Sequence, residues 1–194
     1  MLNRTLLIYD DKLYRRLDDR RGGFYYYPDT GNMELFDLLN YQVYPFELMP
    51  SININARSTK ISPDRSKLAL AHLYNPVIEV YDINNKTLKT FNYSKDNNIK
   101  KRFSVNKYNS DNLIEYYDFI DVTNDHIYVL YRGEKYTTKS RSCLIKKYNW
   151  QGNLVSIFKI NEKYDISKFF IDSSSNVLIA QSYNNDSVYR FKLH

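Results

Sequence analysis

Cysteine is nearly absent. Cys143 is the only one, which excludes an internal disulfide framework and any cysteine-based zinc cluster. Glycine and proline number five each, so collagen-like and low-complexity readings fail. The only glycine pair, Gly22-Gly23, lacks the later glycine or Lys-Ser/Thr of a phosphate loop, and no Gly-x-Ser-x-Gly occurs. The sequence therefore predicts no cofactor. Histidine is scarce: His72, His126 and His194 are never spaced as His-x-His or His-x3-His, so no histidine metal centre is expected. Apolar runs are short, far from the about 20 residues of a membrane-spanning helix. The first, Leu6-Leu7-Ile8-Tyr9, ends at Asp10-Asp11 and falls short of a secretory core of roughly 7–15 residues. The chain as it stands is expected in the cytoplasm, or its true N-terminus lies upstream of Met1.

What is present is aromatic and polar. The 194 residues include 20 Tyr and 10 Phe, with 43% apolar and 26% charged residues. That is globular composition with enough ring surface for a core. Lys and Arg outnumber Asp and Glu by 28 to 22. The excess is spread along the chain, so it argues for solubility before it argues for a nucleic-acid partner.

The dominant pattern is alternation with period two in short runs, the signature of half-buried strands. Strands are predicted at 67–72, 77–82 and 87–91, then at 116–122, 126–131, 142–148 and 154–160, then at 166–172, 176–182 and 187–193. Asn occurs 21 times and fills the turns, since it tolerates the left-handed region and bonds its own backbone. Aligning the first turns makes Lys67, His126 and Asn176 equivalent. Self-similarity at about 50 residues with four short strands per unit is the pattern of a β-propeller blade. The fold class predicted is all-β, with blades at 57–95, 116–160 and 166–193. Residues 1–56 are an irregular or partial blade. There Leu6–Tyr9 and Leu13–Leu17 suggest a hairpin and Gly23–Tyr27 a strand. Leu35, Leu38 and Leu39 have helical spacing, which predicts one short helix over 33–40.

Two stretches carry a resemblance. Ile127-Tyr128-Val129-Leu130-Tyr131-Arg132-Gly133-Glu134-Lys135, then Ile145-Lys146-Lys147-Tyr148-Asn149-Trp150-Gln151-Gly152-Asn153, resemble the TolB-like six-bladed β-propellers of Bacteroidetes. Arg132 stands where a Ser is usual in that family, and Asn149 where an Asp is usual. Ile166–Leu193 is similar to its last blade. These are turn and packing motifs and identify no chemistry. The resemblance implies an incomplete ring, because six blades need roughly 300 residues. It also implies a full-length protein that is exported or lipid-anchored. The last blade shows three strands, and in closed propellers the N-terminal segment often donates the missing one, here Leu6–Tyr9. An open arc leaves edge strands unpaired and favours self-association.

Candidate chemistry is sparse. Asp172-Ser173-Ser174-Ser175-Asn176 echoes a calcium loop, but Val177 and Tyr183 stand where it needs Gly and a carboxylate, so a polar turn is expected. Asp10-Asp11 and Asp18-Asp19 lie among arginines and read as solvated ion pairs. Cys143 reads as a buried structural thiol. Cations and rings interleave at Tyr14-Arg15-Arg16, Arg20–Tyr27 and Lys100-Lys101-Arg102-Phe103, a combination used on single-stranded nucleic acid. Packing between strands explains the rings better, and a nucleic-acid partner is not expected.

A propeller ligand site lies at the channel mouth, lined by each blade's innermost strand. Those strands are 57–62, 116–122 and 166–172. Their polar or ringed members near the entry ends are Arg57, Tyr116, Tyr117, Asp118 and Lys168. The competing reading is that these side chains merely plug the channel. The function predicted is a non-catalytic binding or scaffold module for a protein or carbohydrate. The alternatives are a glycan-active hydrolase or lyase with its site in the channel, and a truncated fragment without independent function. Only Asp118, Asp121 and Asp172 are carboxylates near that channel.

Overall fold

A computed structural model describes residues 56–93, 113–135, 138, 143–183 and 185–193 in full, and the backbone of four short strands before them. The chain divides into two compact units, Met1–Ala56 with Lys100–Tyr108, and Arg57–Ile99 with Asn109–His194. The described residues are almost entirely strand and turn.

The first unit holds β1 (Leu6–Ile8), β2 (Leu13–Arg16), β3 (Phe24–Tyr26) and β4 (Glu34–Phe36). They form an antiparallel sheet in chain order. β1 pairs with β2, Leu7 opposite Arg15. The helix expected over 33–40 is not formed at its start. Residues 34–36 are β4, with Leu35 opposite Tyr25 of β3. About two turns of helix are too short to offset the nucleation cost, whereas a neighbouring strand edge offers hydrogen-bond partners at once. Leu38 and Leu39 lie outside the described residues.

The second unit holds three meandering antiparallel sheets. The first is β5 (Arg57–Ile61), β6 (Lys67–His72), β7 (Val77–Asp82) and β8 (Thr87–Asn92). The second is β9 (Ile114–Val122), β10 (His126–Lys135), β11 (Leu144–Asn149) and β12 (Leu154–Lys159). The last has three strands, β13 (Ile166–Asp172), β14 (Val177–Ser182) and β15 (Val188–Lys192). No fourth strand joins it among the described residues. The donor expected for it, Leu6–Tyr9, instead contributes β1 to the first unit's sheet.

Turn chemistry explains where the strands stop. Asp64 accepts from the Ser66 amide and from both the Ser62 and Ser66 hydroxyls. Asp172 does the same for Ser174 and Ser175. The stretch compared with a calcium loop is thus a self-contained Asx turn. Asn149 accepts from the Gln151 and Asn153 amides, the task an Asp performs in the resembled motif. Among the described residues Asn176 is the one Asn with positive φ; Arg65, Lys86, Asp165, Asp186, Gly133 and Gly152 take the other left-handed positions. Among the described residues, Asn serves turns more through its side-chain oxygen than through αL tolerance.

Packing joins the sheets face to face. Ala69, Ala71, Ile78 and Val80 of the first sheet meet Tyr117, Ile120, Ile127, Val129, Tyr148 and Trp150 of the second. On its other face the second sheet brings Tyr128, Leu130, Cys143 and Ile145 against Phe169, Ile171, Leu178 and Ala180 of the last. Small Ala side chains against large rings let the first pair approach closely. Each buried Leu or Ile here adds about 1.5–3 kcal/mol of transfer free energy.

Candidate functional site

The edge strands β5, β9 and β13 lie side by side, tied by side chains. Ser58 Oγ donates to the Asp118 carbonyl at 3.0 Å. Lys60 Nζ lies 3.6 Å from Asp121 Oδ1, while Asp121 Oδ2 accepts from the Ile171 amide at 2.7 Å. Arg132 donates to Asp118 Oδ2 at 3.0 Å and to the Ile166 carbonyl. Residue order along these ties, 58 then 60, 118 then 121, 166 then 171, shows the three strands running the same way. Three parallel edges in a row, each heading an antiparallel sheet, is the arrangement of innermost propeller strands.

Asp121 joins all three sheets from one carboxylate. Burial pushes its pKa up, against the pull of the Ile171 amide and Lys60. Arg132 is 3% exposed. This gives the departure from the resembled motif a physical account, since a Ser at that position is too short to span two sheets.

The five residues expected at a channel mouth lie on different faces of their sheets. Arg57 is buried on the first sheet's face away from β9. There it lies 3.6 Å from Glu79 Oε2, which also bonds His72 Nε2 at 2.9 Å. All three side chains are at most 3% exposed. Tyr117 is buried between the first and second sheets, its ring centroid 5.8 Å from that of Tyr131. Burial pushes its hydroxyl far above the usual tyrosine range. Tyr116 is half-buried beside it, its amide bonded to the Leu73 carbonyl. Asp118 turns towards the last sheet, 29% exposed in its ion pair with Arg132. Lys168 is exposed on the last sheet's far face. Successive strand residues point to opposite sides, so a strand's polar members do not converge on one point.

Sequence reasoning missed the Arg57–His72–Glu79 cluster. His72 is 2% exposed. The signal was Glu79 inside the apolar run Val77-Ile78-Glu79-Val80-Tyr81, because a buried carboxylate requires a partner. Cys143 is buried, and burial raises its pKa, the setting of a structural thiol. No group of three or more His, Cys, Asp or Glu among the described residues is arranged to hold a metal ion. No helix is long and apolar enough to cross a membrane among those residues. The side chains of Asp10-Asp11, Asp18-Asp19, Tyr14–Arg16, Arg20–Tyr27 and Lys100–Phe103 lie outside the described residues.

No protein-family model matches the chain, and no curated protein does. Solved structures do. The chain is similar to hydrazine synthase from Kuenenia stuttgartiensis, at 12% identity and TM-score 0.56, covering 99% of this chain and 48% of that one. A protein from Lactobacillus plantarum matches at 15% identity and TM-score 0.54, covering 97% and 50%. A chain of the mitotic checkpoint complex matches at 13% identity and TM-score 0.54, covering 93% and 45%. The fold is of the β-propeller kind. The chain spans about half the length of these structures.

Proposed function

We propose that the chain is a non-catalytic binding or scaffold module of the β-propeller kind, engaging a protein or carbohydrate along the edge of β5, β9 and β13. One observation carries this reading. The buried groups suited to acid–base work near that edge are already committed to structure, and Asp118 is paired with Arg132. Glu79 and His72 are sealed from solvent with Arg57, and Asp121 holds the Ile171 amide. A catalytic acid or base must instead reach its substrate. What the edge offers to solvent is the half-exposed side chain of Lys60, the carboxylate edge of Asp118 and the ring of Tyr116. Those groups suit recognition. Lys168, exposed on the last sheet's far face, stands apart from these groups. The Tyr131–Lys135 end of β10 and the Asn149–Asn153 turn support placing the chain with TolB-like propellers. Its span of half a solved propeller supports its acting as part of a larger ring.

The test is a glycan-array and affinity-capture screen with the purified chain, repeated with Lys60→Glu and Tyr116→Ala. A ligand bound by the parent and lost with both variants, at unchanged melting temperature, supports the reading. Turnover of a glycan substrate that survives both substitutions overturns it.

A further inference from the structure

A second place on the molecule is built differently from the inner edge. Where the first sheet's β9-facing side meets the β11–β12 turn, a cavity of about 200 Å³ opens, lined by Lys67, Asp82, Lys89, Thr87, Trp150 and Gln151 among others. That is many times the about 10–15 Å³ a single water needs. It is below the size of drug-like pockets, which start at about 300 Å³. The space suits one small ring.

The hydrogen-bonding capacity left in the lining is mostly of one kind. Asp82, the only acid there, already accepts from the Asn85 amide and from Asn85 Nδ2. The Lys89 ammonium has no ion-pair partner among the described residues, and Lys67 Nζ sits 5.5 Å from the centroid of the Trp150 ring. Trp150 is 6% exposed, and its indole N–H is buried with no hydrogen-bond acceptor among the described residues. That N–H is closed off from solvent, so Trp150 borders the space with its ring rather than with its N–H. Two ammonium groups and the Gln151 side-chain amide against one carboxylate already held by Asn85 select an acceptor-rich ligand of negative charge. The hydroxyl of Thr87 and the amide of Gln151 add the mixed donors and acceptors that ring hydroxyls need.

We infer that this cavity between the first sheet and the Trp150 turn binds an acidic monosaccharide, its carboxylate held by Lys89 and Lys67. The site is independent of the inner-edge reading, because it lies on other strands and uses none of the same residues.

Trp150 is the only tryptophan, so its emission and its indole N–H resonance report on this cavity alone. The experiment titrates the purified chain with D-glucuronate, with D-glucose and with inorganic phosphate. It follows both signals for the parent, Lys89→Gln and Gln151→Ala. Lys89 and Gln151 are exposed, so both variants keep the fold, which a thermal melt verifies. The expected result is a saturable shift of the Trp150 indole resonance with glucuronate. Lys89→Gln weakens it about tenfold, the loss of one charge-assisted hydrogen bond, and glucose gives only a weak response. An unshifted indole resonance at saturating glucuronate overturns the proposal. So does an equal response to phosphate, which reduces the site to a surface attraction for any anion, and so does a glucuronate response that Lys89→Gln leaves unchanged.

Discussion

The first and last sheets of the second unit are built from the same hairpins, and they meet solvent differently. β6 and β7 are buried along nearly their whole length, so both faces of their sheet are covered. β14 instead alternates, with Val177, Leu178, Ala180 and Ser182 buried while Ile179 and Gln181 are exposed. The open face carries Phe170 at 55%, Ile179 at 38% and Val188 at 67% exposure. Phe170 stands opposite Ile179, and Ile179 opposite Arg190. The sequences differ accordingly: Leu-Ala-Leu-Ala and Val-Ile-Glu-Val in the covered sheet, Phe-Phe-Ile-Asp and Val-Tyr-Arg-Phe in the open one. A sheet covered on both sides reads as a continuous apolar run, and one covered on a single side reads as alternation. The comparison also separates two uses of charge, since the covered sheet hides Glu79 with Arg57 and His72 while the open sheet spends Lys168 and Arg190 on solubility.

The sharpest way to break the comparison is to remove the hidden acid. Glu79→Ala leaves Arg57 and His72 buried without their shared acceptor, and about 3–5 kcal/mol of stability is expected to disappear. Urea unfolding measures it. Leu70→Ala, on the same covered face and fully buried, is expected to cost about 2–5 kcal/mol. Val188→Ala on the open face changes stability by less than about 0.5 kcal/mol. Equal losses from these two would show that the last sheet's outer face is covered in solution. Gly152→Ala acts where the sheets meet. Gly152 has a φ of 84°, and a Cβ there runs into the Phe91 ring. The expected loss is about 2 kcal/mol, from left-handed strain and overpacking together.

The smallest effect is a matched pair of turns, one in each sheet. Asp64 is held at about 2 first by the Ser62 hydroxyl and then by Ser66, and Asp172 at about 2 first by the Ser174 hydroxyl and then by Ser175. Both are depressed from the ordinary 3.8. Their stabilisation is therefore present above that value and is lost as pH falls through about 2. Asp121 has the opposite sign. Its pKa is raised by burial, so its ionisation works against folding as pH rises above 3.8. Carboxyl NMR titration resolves the three. Matching midpoints for Asp64 and Asp172 would show that these exposed turns behave alike whether or not their sheet is covered.

Much of this fold was legible. The strands read at 67–72 and 77–82 coincide with β6 and β7, because alternation and turn residues agree there. Over 34–36 a strand forms where a helix is expected, because leucines at helical spacing weigh little against a strand edge offered by chain pairing. The site was less legible. Arg57 reads from sequence as an entry-end cation. Its burial depends on Glu79, two strands away, and on the pleat that puts both on one side. Asp121 reads from sequence as one of three carboxylates near the channel, and its role as the carboxylate shared by three sheets depends on strands far apart in the chain.

That shared carboxylate has a consequence for folding kinetics. Every pairing inside a sheet closes a hairpin over a short connection, whereas the tie from Asp121 to Ile171 spans 50 residues. Hairpins form in about 1–10 μs, and contacts of long sequence separation come later. The Ile171 amide is therefore expected among the last to gain hydrogen-exchange protection during refolding. In Asp121→Ala its protection is lost first, while the amides of β6 and β7 keep theirs. One slow-exchanging proton thus serves as a clock for the moment when separate sheets become a single body.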